Sequence, residues 1–201
     1  MIWTIPNILT VLRIALIPVF VGIFYLPHNL YALGIHPTHT LNVAAASVFA
    51  LASLTDWLDG YWARKFNQTS SFGAFLDPVA DKLMVAAALI VLVEFDRVGA
   101  IVSLIIIGRE IVISALREWM ANIGKRNSVA VAMIGKIKTA LQMIAILLLL
   151  YFDPIGAFNT QLVGHVLIVI AAILTLVSMA YYLKAAWPAI KEGMGSSSHK
   201  K

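Results

Sequence analysis

The chain contains no cysteine, and only 12% of its 201 residues are Asp, Glu, Lys or Arg. The first absence excludes a disulfide framework, a thiolate nucleophile and any Cys-ligated zinc or iron–sulfur site, so a bound metal must be held by oxygen or imidazole. The second excludes an ordinary soluble globule, in which about 25% of residues are charged. What fills the chain instead is apolar: 61% of residues are hydrophobic and the mean hydropathy is +0.89. A spanning helix takes roughly 20 apolar residues, so this length holds six or seven spans at most and leaves no room for a large soluble domain. The net charge of +5 and the pI near 9.6 point to anionic lipid headgroups or phosphate-bearing substrates, with no nucleic acid expected.

Apolar stretches at about 7 to 26, 40 to 64, 72 to 94, 98 to 121, 132 to 152 and 160 to 185 predict an all-α, polytopic membrane protein with six transmembrane helices. Turn residues separate several of them: Pro27, Gly34 and Pro37 after the first, a polar Glu94 to Gly99 after the third, and Asp153-Pro154 with Gly156 before the last. With the N-terminus cytoplasmic, the three outer connections hold one basic residue, Arg97, leaving the other 14 of 15 on or near the inner side. That asymmetry predicts cytoplasmic N- and C-termini. A soluble hairpin bundle is disfavoured, because Ala140 to Leu150 is apolar all the way round. No small-residue cleavage site follows the first span, which argues against a removable signal peptide. Residues 1–187 are expected to form a single transmembrane domain, and 188–201, ending in a Ser run and a Lys pair, a flexible tail.

Four of the ten acidic residues, Asp56, Asp59, Asp77 and Asp81, fall within 26 positions at the inner ends of the second and third spans. Asp56 and Asp59 are spaced i, i+3 and Asp77 and Asp81 i, i+4, so each pair shares one face of its helix. The short polar connection Lys65 to Ser71 makes the two helices antiparallel neighbours whose carboxylate faces can meet. A single ionised carboxylate near the bilayer core costs at least about 2.5 kcal/mol, so four converging there need cations between them. An all-oxygen donor set suits Mg²⁺ or Mn²⁺, as one ion or as a two-metal site. The alternative is four separate capping or interfacial aspartates. Gly60, Ala63, Gly73 and Ala74 would let a backbone or flat ligand approach closely, although small residues are common at any packed transmembrane interface.

The run Asp56-Trp-Leu-Asp59-Gly60-Tyr-Trp-Ala63-Arg64, followed after eight residues by Gly73-Ala-Phe-Leu-Asp77-Pro-Val-Ala-Asp81, resembles the signature of the CDP-alcohol phosphotransferases at all eight fixed positions. The likeness extends over Ile5 to Arg13, Gly108 to Trp119 and Gly135 to Thr139, where the chain is similar to bacterial members that use glycerol phosphate. The resemblance implies transfer of a phosphatidyl group from CDP-diacylglycerol to sn-glycerol 3-phosphate, releasing CMP, at the cytoplasmic face of the bacterial inner membrane. It also implies two Mg²⁺ or Mn²⁺ ions, with Asp56, Asp59 and Asp77 as main ligands and Asp81 as general base and further ligand. Gly60, Ala63, Arg64 and Gly73 would line the CDP-diacylglycerol pocket. Homodimerisation is implied by the resemblance alone.

Two groups of residues keep two readings. Asn7, Thr10 and Arg13 either close the nucleotide side of the CDP-diacylglycerol site or act as helix caps and a snorkelling topology signal. Arg109, Arg117, Lys136 and Lys138 either bind the phosphate of glycerol phosphate or, for Arg117 and Lys138, only set topology and attract anionic lipid. Arg109 follows the apolar run Ile101 to Ile107, so it should face the interior with a partner, Glu110 or Glu118. The five histidines are expected to carry no chemistry, and the tryptophans are read as interfacial anchors. The competing functions are the same reaction with inositol phosphate or serine as acceptor and, more remotely, a cation transporter. A transporter needs ionisable groups through the whole depth, whereas here they gather toward one side.

Overall fold

The computed structural model describes residues 5–25, 38–66, 71–123 and 133–196. These form six α-helices: α1 (Ile5–Tyr25), α2 (Thr38–Phe66), α3 (Ser71–Glu94), α4 (Ala100–Asn122), α5 (Met133–Tyr151) and α6 (Thr160–Ser196). No strand occurs among the described residues, so the all-α class holds. Each helix falls on one of the six apolar stretches, because in those stretches Leu, Ile, Ala and Met supply both helix propensity and a burial-competent surface. α6 runs on through Pro188 to Ser196, so helix continues into the stretch beginning at 188 that the sequence assigns to a tail.

Among the described residues, two helices are long and apolar enough to cross a membrane by length and composition, α1 over Asn7–Tyr25 and α6 over Thr160–Lys191. His39–Thr55 of α2 and Ile137–Tyr151 of α5 form shorter apolar stretches. Charge interrupts α3 at Asp77, Asp81 and Lys82, and α4 at Arg109, Glu110, Arg117 and Glu118.

The chain divides into two compact units, Met1–Gly99 with Ile144–His165, and Ala100–Met143 with Val166–Lys201. In the first, α1 packs against both α2 and α3, which also touch each other. Phe20 and Phe24 of α1 meet at 5.7 Å, and Phe20 lies 6.3 Å from Phe49 of α2. Alanines 45 and 52 of α2 and 80 and 88 of α3 are buried as well, small side chains that let helices approach closely. α5 and α6 come together at Gly164, where an added Cβ would stand 2.8 Å from Leu149 Cγ. In the second unit, Ile113, Met120, Tyr182, Ala186 and Ala189 form a buried apolar seam between α4 and α6.

Two helix ends of the first unit, those of α3 and α5, are closed by main-chain and side-chain caps. α3 stops in a Schellman turn: Asp96 takes a left-handed φ of 54°, its N–H donates to Val93 O, and Arg97 N–H donates to Leu92 O. α5 stops with Phe152 at φ 61° and its N–H on Leu148 O. A bulky aromatic in that region is strained, and Arg97 supports it by stacking its guanidinium 4.3 Å from the Phe152 ring centre. Arg97 Nη1 also donates to Leu149 O and Leu150 O, and Nη2 to Asn42 Oδ1 at 2.7 Å. Asn42 in turn donates to Asp153 Oδ2, which also bonds His39 Nδ1 at 2.8 Å. Burial pushes the Arg97 guanidinium down from its ordinary value, opposed by Asp153. Burial acts to raise the Asp153 carboxyl, but the bonds from Asn42 and His39 outweigh it and hold the carboxyl below its ordinary value.

Candidate active site

The signature carboxylates sit on adjoining helices of the first unit. Asp56 and Asp59 lie within about three turns of the end of α2, and Asp77 and Asp81 within about three turns of the start of α3. Pro78 follows Asp77 and has no amide N–H to give the carbonyl of residue 74, so the ladder of α3 loses one bond in the turn that carries Asp77. The side chains of Asp56, Asp59, Gly60, Ala63, Arg64 and Asp77 lie outside the described residues. Asp81 is described: its side chain is 43% exposed, and its Oδ1 accepts a hydrogen bond from Arg13 Nη1 at 2.6 Å. Gly73 is buried near the start of α3.

Arg13 is only 1% exposed. A snorkelling arginine keeps its head in water, so the topology-signal reading does not describe this residue. Asn7, Thr10 and Arg13, at i, i+3 and i+6, are all buried on one face of α1. This face carries the guanidinium onto the last aspartate of the signature. Asp81, the one signature carboxylate that is described, is half-exposed and fixed by a buried arginine, and carboxylate oxygen is the kind of donor a hard divalent cation takes.

The second unit holds a cluster of cations. Arg109, buried on α4, donates from Nη1 to Glu110 Oε1 at 3.0 Å and from Nη2 to Ser178 Oγ of α6 at 3.1 Å. Lys138, buried on α5, donates to the same Glu110 oxygen at 2.5 Å. Arg117 is exposed and donates from Nη2 to Tyr182 Oη at 2.7 Å. Among the described residues, Arg109 and Lys138 thus share the Glu110 carboxylate while Arg117 bonds a neutral hydroxyl, so three cations gather around one carboxylate, an excess of two positive charges. Arg109 Nε is buried without a hydrogen-bond partner. The interior position expected for Arg109 is what the structure has, with Glu110 as its partner. Lys138 is too deeply buried to act only as a surface topology charge. The side chain of Lys136 lies outside the described residues.

Ser178 and Tyr182 escaped the sequence reading. They are ordinary residues in an apolar helix, and their i, i+4 spacing on α6, one polar atom per turn, is the only signal that could have singled them out.

The model of the family described as CDP-alcohol phosphatidyltransferase matches residues 3–177. The CDP-diacylglycerol–glycerol-3-phosphate 3-phosphatidyltransferase of Pseudomonas fluorescens is 50% identical over 190 residues, 93% of this chain and 92% of the relative. The protein of the same name from Yersinia enterocolitica serotype O:8 is 48% identical over 190 residues, 94% and 97% of the two chains. That of Escherichia coli is 47% identical over 186 residues, covering 92% and 95%. Likeness on this scale carries through the signature of α2 and α3 and into the cationic helices α4 and α5, and the chain belongs to the CDP-alcohol phosphatidyltransferase family.

Proposed function

We propose that this chain transfers the phosphatidyl group of CDP-diacylglycerol to the primary hydroxyl of sn-glycerol 3-phosphate, giving phosphatidylglycerophosphate and CMP. The acceptor oxygen forms the new bond to the phosphatidyl phosphorus, the bond from that phosphorus to the CMP oxygen breaks, and the hydroxyl proton passes to Asp81. The observation that carries the acceptor is the cationic cluster. Its two uncompensated charges match the phosphate monoester dianion of glycerol 3-phosphate, which carries about −2, and do not match a zwitterionic amino acid.

Asp56, Asp59 and Asp77, with Asp81, would hold the metal, proposed as two Mg²⁺ or Mn²⁺ ions. When bound, such ions neutralise pyrophosphate charge and align the attacking and leaving oxygens. Arg13 keeps Asp81 in place through Oδ1, so that the carboxylate meets the acceptor in a fixed orientation. Gly60, Ala63, Arg64 and Gly73, with Asn7 and Thr10 on α1, take the CDP-diacylglycerol side. Arg109, Arg117, Lys136 and Lys138 take the acceptor phosphate, and Arg109 Nε offers it an unused donor.

The six helices are proposed to span the bacterial inner membrane within one domain, 1–187, as a homodimer with both termini and the active site cytoplasmic. The distribution of Lys and Arg supports that orientation. The test is CMP release by the purified protein with CDP-diacylglycerol and Mg²⁺, offered glycerol 3-phosphate, inositol phosphate, serine and water in parallel. Phosphatidylglycerophosphate forming only with glycerol 3-phosphate is the expected result. CMP release with another acceptor instead would reassign the cationic cluster.

A further inference from the structure

Arg109 and Arg117 stand eight residues apart on α4, about 12 Å along the axis. Their partners on α6, Ser178 and Tyr182, stand four residues apart, about 6 Å. The arginine side chains close that difference, and both guanidinium groups reach one ring: Arg109 Cζ lies 5.6 Å and Arg117 Cζ 4.9 Å from the centre of Tyr182. Tyr182 itself is fixed, buried in the seam with Ile113, Met120, Ala186 and Ala189. Its hydroxyl is the atom that accepts from Arg117.

The geometry points to Tyr182 as the positioning residue of the acceptor site, holding Arg109 and Arg117 in one arrangement before a phosphate monoester arrives. The inference rests on the proposed role of those two arginines in binding glycerol 3-phosphate. An arginine with free rotamers loses that freedom when it grips an anion, and affinity falls accordingly. Arg117 is exposed and would otherwise be such a residue. The Tyr182 hydroxyl removes its freedom in advance, while the electron-rich ring face attracts both cations toward a common point. Ser178 performs the same service for Arg109 one turn earlier on α6.

The test is steady-state kinetics of Tyr182→Phe, Arg117→Ala and the double variant in detergent, each substrate varied in turn, with the thermal midpoint measured alongside. Tyr182→Phe keeps the ring and the packing and removes only the hydroxyl. It is expected to raise KM for glycerol 3-phosphate about fivefold, the cost of ordering one rotamer-rich side chain at the moment of binding. The KM for CDP-diacylglycerol, kcat and the thermal midpoint stay unchanged. Arg117→Ala raises the same KM, and adding Tyr182→Phe to it raises it no further. If Arg117→Ala raises KM while Tyr182→Phe leaves it alone, the positioning role is overturned and the acceptor reading stands. If Arg117→Ala has no effect, the acceptor reading of Arg117 falls, and the inference with it. A Tyr182→Phe variant that loses thermal stability and weakens both substrates alike has only a packing role, which also overturns the inference.

Discussion

Arg97 and Arg109 both carry a guanidinium away from water, and they are treated in opposite ways. Arg97 is surrounded by acceptors: two carbonyls at the end of α5, the Asn42 amide oxygen and, through Asn42, the Asp153 carboxylate. No buried side-chain atom of that network lacks a partner among the described residues. Arg109 shares its single carboxylate with Lys138, leaves Nε unpaired and shares one aromatic ring with a second arginine. A buried polar group without a partner costs about 1 to 3 kcal/mol, more when charged. A folded chain tolerates that cost where a ligand will later remove it. On the proposed acceptor site, balanced charge goes with architecture and unbalanced charge with ligand binding.

Neutralising the two arginines separates the cases. Arg109→Gln is expected to lower kcat/KM for glycerol 3-phosphate roughly a hundredfold, as expected for a lost charge-assisted contact to phosphate, with little change in CDP-diacylglycerol KM. Steady-state kinetics with each substrate varied checks this, and an equal loss for both substrates would erase the contrast. Arg97→Gln is expected to do the reverse. It uncaps α5, leaves the Phe152 turn without its stacking partner and destabilises the fold by about 2 kcal/mol, with both KM values unchanged. The thermal midpoint in detergent, read beside the kinetics, decides it.

The smallest expected effect is one of pH. The folded Asp153 carboxyl sits below its ordinary value of 3.8, so its contribution to stability is complete above that value. The contribution is lost as pH falls through the lower folded value. Asn42→Ala removes one of the bonds that lower it and should move the acid edge of unfolding upward. A pH series of thermal midpoints for wild type and variant measures the shift.

All six helices were legible in the sequence, because hydropathy over about 20 residues is a strong signal. The aspartates of α2 and α3 were legible for the same reason, since charge in an apolar run demands an explanation. What stayed hidden depends on pairing between distant segments. Arg13 reads as a topology charge or a nucleotide contact, and only the packing of α1 on α3 puts it against Asp81. Arg97 reads as a lone basic residue in an outer turn, and nothing local reveals that it caps a helix 52 residues away. Phe152 in a left-handed turn runs against residue preference and is held there by tertiary contact.

The length of α6 bears on where the acceptor is met. From Thr160 to Ser178 the helix rises about 27 Å and to Tyr182 about 33 Å, against a hydrocarbon thickness of about 30 Å. On the proposed topology, with Thr160 at the outer boundary, these two residues and the arginines they hold lie at the depth where acyl chains give way to headgroups. A water-borne phosphate can reach them without entering hydrocarbon, while the apolar seam behind Tyr182 keeps the local dielectric low and the attraction strong. On the same topology the remainder of the helix, with Lys191 lying 5.8 Å from the centre of the Trp187 ring, extends past that depth into the headgroup region.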